Sequence, residues 1–212
     1  VGGVSDAERN VISGNRNSGV VLSGDATTGN VVLNNYIGVA ADGVSPLGNT
    51  SSGLYIGASD NVIGPANIIA FNRLEGVYVH NEDALHNVIT QNSIYGNGYR
   101  DWYSYGIKLG EGAHGNIESP EITNATASGE VSGTSCSNCI IEVFWSWNGE
   151  GQGEVYLGTT TATGTGSFTL TVTFPGAYNL TANATDERGT SEFSQVYNPE
   201  FYAYLPITMN GD

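Results

Sequence analysis

The spacing of apolar residues divides the chain into two parts. Through residue 119, apolar runs of two to four residues alternate with asparagine and glycine. Hexapeptides with asparagine at both ends recur four times, starting at Asn10, Asn30, Asn67 and Asn87. A second short run, led by glycine, starts at Gly19, Gly53, Gly76 and Gly106. Runs this short, rich in β-branched residues and bounded by poor helix formers, predict an all-β chain.

An internal repeat predicts how these strands are arranged. Residues 10–37 realign on residues 67–94 at a shift of 57 residues, which we interpret as two turns of about 20 residues, one carrying an insertion. Stacking successive turns buries strands that are too short to bury a face alone, so the pattern favours a parallel β-helix over a leucine-rich horseshoe. Alternation predicts an inward row of Val20, Leu22, Leu54, Ile56, Val77, Val79, Ile107 and Leu109. The outward row contains Val21, Tyr55, Tyr78 and Lys108.

The recurring asparagines are expected to stack as ladders of hydrogen-bonded amides, the alternative being that they only mark surface turns. The phrases Asn-Val-Ile-Ser-Gly-Asn, Gly-Val-Val-Leu and Asn-Val-Val-Leu-Asn-Asn-Tyr-Ile-Gly resemble the right-handed parallel β-helix repeat proteins of bacterial surfaces, which share the pectate-lyase-like fold. This resemblance covers residues 1–119 and implies the fold. It implies no single function, because that fold hosts lyases, hydrolases, epimerases, adhesins and inert stalks.

After Pro120 the asparagine repeat stops and apolar residues alternate with polar ones. Segments 139–147, 154–157, 166–174 and 177–185 predict strands of a small β-sandwich, with inward residues Ile141, Val143, Trp145, Phe168, Leu170, Val172, Tyr178, Leu180 and Ala182. Residues 141–144, 153–158 and 184–194 resemble the Ig-like domains that follow β-helices in secreted bacterial proteins, although the Cys–Trp–Cys arrangement of antibodies is absent. We therefore expect a parallel β-helix over 1–119, an Ig-like β-sandwich over 120–198 and an apolar tail over 199–212.

The charge of the chain narrows the classes of partner. Six Lys and Arg stand against 21 Asp and Glu, which gives a formal net charge of −15. This excess disfavours binding to nucleic acid or to anionic membranes. The sequence contains no run of 18 apolar residues, so we expect no membrane span. The resemblance implies an extracellular or cell-surface location, and we interpret the abrupt start at Val1 as that of a processed or trimmed product.

Catalysis needs its own test, because the fold that the resemblance implies includes pectin-active enzymes. A pectate lyase uses Arg or Lys as base and several Asp to hold Ca²⁺, whereas a glycosidase needs two carboxylates beside the scissile bond. The basic candidates are Arg9, Arg16, Arg73, Arg100 and Lys108, and the acidic ones are Glu82, Asp83, Asp101 and Glu111. No recurring acidic cluster or known motif supports them. We expect no catalytic activity, no cofactor and no metal, with a polysaccharide lyase or hydrolase fragment as the enzyme alternative.

Two further motifs concern covalent modification. Cys136 and Cys139 are too few for a tetrahedral zinc site and lack the βαβ context of a thioredoxin-type motif. In an extracellular protein they are expected to form a local disulfide that pins a turn. The sequons at Asn49, Asn124, Asn179 and Asn183 are candidate glycan sites, with Asn179 and Asn183 predicted on one outward face.

Aromatic side chains and the chain ends give the candidate contact surfaces. Tyr55, Tyr78 and the loop residues Tyr99, Trp102, Tyr103 and Tyr105 are candidates to contact sugars or a partner protein. The alternative, slightly favoured, is that the loop aromatics seal the β-helix against the sandwich. The apolar tail residues Phe201, Tyr202, Tyr204, Leu205, Ile207 and Met209 are expected to augment a neighbour's sheet, to fold back on the sandwich, or to act as a sorting tail.

These observations favour a non-catalytic extracellular structural or surface protein. The β-helix begins inside a turn without a polar cap, so either upstream turns were removed or another subunit covers that edge. Head-to-tail contact between this open end and the tail would make homopolymeric filaments. The alternative function is that of an adhesin that binds cell-surface glycans.

Overall fold

The computed structural model describes residues 1–98, 105–146, 151–173 and 179–199. Strands in its first half are β1 (Val11–Ile12), β2 (Val20–Ser23), β3 (Val31–Val32), β4 (Tyr36–Ile37), β5 (Leu54–Gly57), β6 (Val62–Ile63), β7 (Ile68–Ala70), β8 (Val77–Val79), β9 (Val88–Ile89), β10 (Ser93–Tyr95) and β11 (Ile107–Leu109). Short 3₁₀ helices span Asp6–Glu8 and Ala113–Asn116. The predicted all-β class is confirmed.

The eleven strands form three parallel sheets. Their orders are β1-β4-β7-β10, β2-β5-β8-β11 and β3-β6-β9. Each of the first three turns adds one strand to each sheet, so the turns stack as the rungs of a β-helix, as the repeat predicts. We number the rungs 1 to 4 from Asn10, Asn35, Asn67 and Asn92. Rung 4 contributes β10 and β11, and no described residue of it pairs in the third sheet.

A rung of the β-helix contains more residues than the repeat predicts. Stacked asparagines are 25 residues apart from Asn10 to Asn35 and 32 residues apart from Asn35 to Asn67. These two rungs account for the 57-residue shift, so a turn is longer than the 20 residues expected. The reason is that each rung has three sides and two of them carry the hexapeptide. Copies starting at Asn10 and Asn67 belong to the first sheet, whereas the copies starting at Asn30 and Asn87 precede strands of the third.

The interior of the β-helix is filled by the inward residues that alternation predicts. The inward side chains of β5, β8 and β11 that are fully buried are Leu54, Ile56, Val77, Val79 and Ile107. Val20 and Leu109, at the two ends of this row, are half-buried and pack against the same core. Strands of the other two sheets add Val32, Ile37, Ile63, Ile69, Ile89 and Ile94. Stacking therefore buries a continuous apolar column.

Close approach between rungs explains the glycine that opens each run of the second sheet. A Cβ on Gly53 would lie 2.6 Å from the carbonyl oxygen of Gly76, and a Cβ on Gly76 would lie 2.6 Å from that of Gly106. Real Cβ atoms do not approach an oxygen this closely, so the position requires glycine in successive rungs. The glycines of the second motif thus mark a corner where backbones stack directly.

The second half is built from antiparallel strands. These are β12 (Glu121–Ala125), β13 (Glu130–Thr134), β14 (Ile140–Ser146), β15 (Val155–Thr161), β16 (Ser167–Thr171), β17 (Asn179–Asp186) and β18 (Gly189–Thr190). They form sheets of order β12-β13-β16 and β15-β14-β17-β18. Side chains of both sheets share one core that includes Ile122, Val131, Phe168, Ile141 and Leu180. We call this half the sandwich. No helix among the described residues is long and apolar enough to cross a membrane.

Strands β14 and β17 do not show the expected alternation of buried and exposed residues. Ile141, Val143, Leu180 and Ala182 face the core as predicted. Glu142, Phe144, Thr181 and Asn183 on the opposite face are buried as well, whereas the predicted inward residue Trp145 is only half-buried. Glu142 contacts Thr90 and Gln91 of rung 3, Phe144 contacts Phe193, and Thr181 bonds Ser194, so this second face is covered as well. Tyr178 lies outside the described residues.

Candidate functional site: the two ends of the β-helix

Amide ladders run along all three corners of the β-helix. Their members are Asn10, Asn35, Asn67 and Asn92; Asn15, Asn49, Asn72 and Asn97; and Asn30, Asn61 and Asn87. In every step the backbone N–H and the Nδ2 of one asparagine donate to Oδ1 of the next, as from Asn72 to Asn97 at 3.1 and 2.9 Å. A backbone N–H only donates, so it fixes the amide orientation. All ladders therefore have the same polarity, with donors pointing towards the later rungs.

The first rung presents the acceptor end of these ladders. We define the first-rung face as the free edges of β1 and β2 together with the Oδ1 atoms of Asn10 and Asn15. No described residue donates to these two oxygens, and β1 and β2 are edge strands of their sheets. The outward residues Val11 and Val21 are 47% and 54% exposed. An edge with unpaired backbone groups and unused acceptors is a template for a further strand.

Residues 1–9 already cover part of this end at the third sheet. The Val1 amino group donates to the carbonyl of Val31 at 2.6 Å, and the N–H of Leu33 donates to the carbonyl of Val1 at 3.1 Å. Arg9 holds the segment in place by donating to Asn34 Oδ1 at 2.6 Å and stacking over the Tyr36 ring at 4.4 Å. Val1 therefore occupies the place that a third-sheet strand of a preceding rung would take.

At the opposite end, the sandwich satisfies the donors of the last rung. Gln152 Oε1 accepts from the backbone N–H and the Nδ2 of Asn97 at 3.2 and 3.1 Å, and Gln152 Nε2 donates to the Asn97 carbonyl at 2.9 Å. The N–H of Ile94 donates to the Gly153 carbonyl at 2.8 Å. Gln152 is buried and extends the ladder by one step with a residue from another part of the chain.

At the neighbouring corner, a buried carboxylate accepts hydrogen bonds from the β-helix. Glu142 is 3% exposed, and its two oxygens accept from Thr90 Oγ1 at 2.5 Å and from the N–H of Gln91 at 3.0 Å. Burial raises the pKa of the Glu142 carboxyl, while these two hydrogen bonds act in the opposite direction. The carboxylate replaces the acceptors that a further rung would bring.

The third sheet ends against β18. Thr190 Oγ1 accepts from the N–H of Ile89 at 2.9 Å, and the N–H of Thr190 donates to the Asn87 carbonyl at 3.2 Å. The carbonyl of Thr190 bonds Nδ1 of His114 at 2.7 Å. His114 is fully buried, and its Nε2 has no hydrogen-bond partner among the described residues. Burial lowers the pKa of the imidazole, while the Thr190 contact opposes this effect. This histidine joins the β-helix to the sandwich through the Thr190 carbonyl.

Phe193 and Glu192 close the second sheet. Glu192 Oε1 accepts from the N–H of Leu109 at 2.8 Å and lies 3.0 Å from Nζ of Lys108. Phe193 packs against the β-helix core and makes an edge contact with Phe144 at 5.3 Å. These residues cover the end of the second sheet. Of the predicted loop aromatics, Tyr99, Trp102 and Tyr103 lie outside the described residues, and Tyr105 contacts Lys108 through its ring at 4.4 Å.

On the outer face of the second sheet, the predicted aromatic residues lie together. Tyr55 and Tyr78 meet edge to face with ring centroids 5.8 Å apart, and the His80 ring lies 5.2 Å from that of Tyr55. Tyr78 Oη and His80 Nδ1 are 3.3 Å apart. We call this group the aromatic cluster. Each tyrosine is half-buried, so parts of their rings face solvent.

The cysteine pair forms a disulfide bond with a Cα–Cα distance of 5.5 Å. Cys136 is half-buried, Cys139 is buried, and one Asp186 oxygen lies 4.0 Å from the Cys139 sulfur. These three residues are close enough together to hold a metal ion. In the disulfide neither sulfur is a thiolate, and Asp186 is bound by Arg188 at 2.6 Å.

Two of the four sequons are corrected by the structure. Asn49 is 1% exposed because its amide belongs to a ladder, and Asn183 is 1% exposed because its face of β17 is covered. Neither side chain has room for a glycan in the folded chain, and the predicted outward face shared by Asn179 and Asn183 is wrong. Asn124 is exposed and Asn179 is half-buried.

The acidic residues that were candidates for catalysis do not form a cluster among the described residues. Glu82, Asp83 and Glu111 are exposed in turns, and Asp101 lies outside the described residues. The tail residues Phe201, Tyr202, Tyr204, Leu205, Ile207 and Met209 also lie outside them. Sequence reasoning missed Gln152, Glu142 and Thr190, because each joins the β-helix from a distant segment with a different pattern.

No protein-family model matches the chain, and no curated protein matches it.

Proposed function

We propose that the protein is a non-catalytic structural or surface protein of the extracellular space, with an Ig-like sandwich, which self-assembles head to tail. The observation that carries the proposal is the difference between the two ends of the β-helix. The sandwich satisfies the donors of the last rung, whereas the first-rung face has two edge strands and the unused acceptors of Asn10 and Asn15. Residues 199–212 are the segment proposed to reach this face in a neighbouring molecule.

Truncation tests this function directly. Full-length protein should form filaments in negative-stain images and elute as high-mass species, and deletion of residues 199–212 should leave monodisperse particles. A control variant with Val44→Ser and Leu47→Ser removes apolar side chains that are 67% and 47% exposed in the rung 2 insertion. This control should assemble normally. Filaments that persist in the truncated protein would remove the tail from the proposal, and a full-length protein that stays monomeric would refute self-assembly.

The aromatic cluster favours a second function, that of a carbohydrate-binding adhesin. Sugar rings stack on exposed tyrosine faces, and Tyr55, Tyr78 and His80 lie side by side on an open sheet. A glycan array should show binding that Tyr55→Ala with Tyr78→Ala abolishes. The matched control is Phe71→Ala with Tyr95→Ala, which removes a similar edge-to-face pair, 5.4 Å apart, associated with the first sheet. Equal binding by both double variants, or no binding by the unmodified protein, would refute this function.

A further inference from the structure

Three side chains that suit a metal ion meet where the turn before β14 lies beside the end of β17. Cys136 and Cys139 belong to that turn, and Asp186 is the last residue of β17. Their two sulfurs and a carboxylate oxygen all lie within 4.8 Å of one another. Asp186 stands 47 residues further along the chain than Cys139, so the cysteine motif by itself offers only two of the three ligands. The fold of the sandwich supplies the third.

The spacing of these atoms is close to that of a tetrahedral metal site. With metal–sulfur and metal–oxygen bonds of about 2.3 and 2.1 Å, a sulfur and an oxygen ligand lie about 3.6 Å apart. Cys139 Sγ and Asp186 Oδ2 are 4.0 Å apart. The Cα atoms of Cys136 and Cys139 are 5.5 Å apart, so rotation about the Cα–Cβ bonds can bring two separate sulfurs onto one ion.

Backbone hydrogen bonds hold the turn independently of the disulfide. The N–H of Ser135 donates to the Gly166 carbonyl at 2.8 Å, and the N–H of Ala162 donates to the Cys139 carbonyl at 2.8 Å. Neither bond involves a sulfur. The cysteines are only three residues apart in sequence, so the disulfide removes little entropy from the unfolded chain. Reduction should therefore leave the turn folded, with both thiols beside Asp186.

The surroundings give an ion access and balance its charge. A surface cavity of about 440 Å³ is lined by Cys136 and by the exposed residues Glu118 and Glu121, so a small reductant or a hydrated cation can reach the Cys136 sulfur. Two thiolates and the Asp186 carboxylate carry three negative charges, and Arg188 carries one positive charge. A divalent ion therefore neutralises the group.

Arg188 orients the carboxylate that would bind the ion. It donates to Asp186 Oδ1 from its backbone N–H at 2.8 Å and from Nε at 3.2 Å. These bonds fix the carboxylate with Oδ2 on the side of Cys139, as hydrogen bonds to metal ligands commonly do. The contact from Nη2 to Oδ2, at 2.6 Å, is the one that an ion would replace.

We propose that Cys136, Cys139 and Asp186 form a redox-gated site for a thiophilic divalent ion such as Zn²⁺. A dithiol passes two electrons and two protons to the disulfide and is itself oxidised to a disulfide, which leaves two cysteine thiols. Binding of the ion releases both thiol protons. The two sulfurs and Asp186 Oδ2 then coordinate the ion, and water completes the four ligands.

Oxidation reverses the step. An external disulfide takes two electrons from the thiolates and leaves as two thiols, and the cysteine disulfide forms again without the ion. The site therefore fills only in a reducing environment. It involves neither the ends of the β-helix nor the tail, so it stands or falls independently of the proposed function.

Cobalt reports ligation by sulfur. Full-length protein is reduced with dithiothreitol, desalted under nitrogen and titrated with Co²⁺. One equivalent should produce a sulfur-to-cobalt charge-transfer band, which Zn²⁺ removes by displacement. The oxidised protein should show no such band. The proposal is overturned if the reduced protein gives no band, or if reduction destroys its β-sheet circular dichroism.

A carboxylate variant distinguishes a three-ligand site from a pair of free thiols. Asp186→Asn should raise the Kd of the reduced protein for Zn²⁺ by a factor of about ten or more, which is about 1.4 kcal/mol of binding free energy. Glu121→Gln is the matched control, because it removes a carboxylate that lines the same cavity without being a ligand. Equal Kd values for the two variants overturn the proposal. If Asp186→Asn unfolds, Asp186→Cys decides: a third thiolate should strengthen the charge-transfer band, and an unchanged band overturns the proposal.

Zinc release tests the redox dependence. Oxidised glutathione, added to the reduced and Zn²⁺-loaded protein, should release one ion per chain to a colorimetric chelator as the two thiols disappear. Reduced glutathione at the same concentration is the control and should release none. Zinc that stays bound after the cysteine pair has been oxidised overturns the redox-gated site.

Discussion

Gln152 stands in for the asparagine of a fifth rung. Its Oε1 takes the same two hydrogen bonds from Asn97 that Asn97 Oδ1 takes from Asn72, at nearly the same distances. The ladder therefore ends on an amide rather than on water. Because Gln152 lies more than fifty residues further along the chain than Asn97, this contact ties the two halves of the protein together.

Shortening Gln152 should weaken the junction. Gln152→Ala leaves the backbone N–H and Nδ2 of Asn97 without their acceptor in a buried place, which costs about 2–4 kcal/mol of unfolding free energy. Urea denaturation followed by circular dichroism measures this loss. Gln195→Ala, at an exposed position, is the control and should change the free energy by less than about 0.5 kcal/mol. Similar losses for both would show that the amide does not act as a cap.

Asn72 should be among the most sensitive polar positions. Its amide accepts from the N–H and Nδ2 of Asn49 and donates to Asn97 and Ile37. Asn72→Ala leaves partners on both neighbouring rungs unsatisfied, so we expect a loss of about 3–5 kcal/mol. Asn17→Ala, at an exposed position of rung 1, should lower the unfolding free energy far less. Chemical denaturation of the two variants measures the difference in unfolding free energy. A small effect at Asn72 would mean that the ladders add little to the stability of the β-helix.

The glycines that open the strands of the second sheet should tolerate no side chain. In Gly76→Ala the new Cβ would lie 2.6 Å from the Gly106 carbonyl oxygen and 2.7 Å from Ile94 Cγ2, so the rungs must separate locally. Overpacking of this kind costs about 1–3 kcal/mol. Gly164→Ala is the control, because no atom lies within 4 Å of the added methyl group. Thermal unfolding should show a lower midpoint for Gly76→Ala only.

Patterns that repeat along the chain predicted the β-helix well. The alternation around Leu54 and Val77 predicts which side chains fill the core, and the spacing of asparagines predicts where the corners lie. Both predictions succeed because each rung repeats the same inward residues and the same corner hydrogen bonds. The rung length was wrong because two sides of a rung share one motif, so copies beginning at Asn10 and Asn30 look equivalent although they stack on different sheets.

The junction could not be predicted in the same way. Glu142 and Asn183 alternate with core residues of the sandwich, and this pattern normally places a side chain in solvent. Glu142 is buried by its contact with Thr90 and Gln91 of rung 3, which lie about fifty residues away in the chain. Gln152 has no periodic signal at all, since it forms a ladder step from a segment between two strands of another sheet.

His114 should make the junction sensitive to acid. Its Nδ1 donates to the Thr190 carbonyl at 2.7 Å, and no residue that the structure describes accepts from its buried Nε2, so a second proton would lack an acceptor there. Burial lowers the pKa of His114; the Thr190 contact and Asp186 oppose this effect, whereas His86 reinforces it. A folded-state pKa below the unfolded value, about 6.5, means that the stabilisation is complete above pH 6.5.

The free energy of unfolding should therefore fall as the pH drops from 7 to 5, with a slope from this group of at most about 1.4 kcal/mol per pH unit. His114→Asn keeps a side-chain donor and suits the left-handed backbone at this position, where φ is 48°. The variant should be less stable at pH 7 but should lose less stability on acidification. His80→Asn, on the exposed face, should follow the unmodified protein. Urea denaturation at several pH values makes the comparison, and parallel profiles for the unmodified protein and His114→Asn would show that acid acts elsewhere.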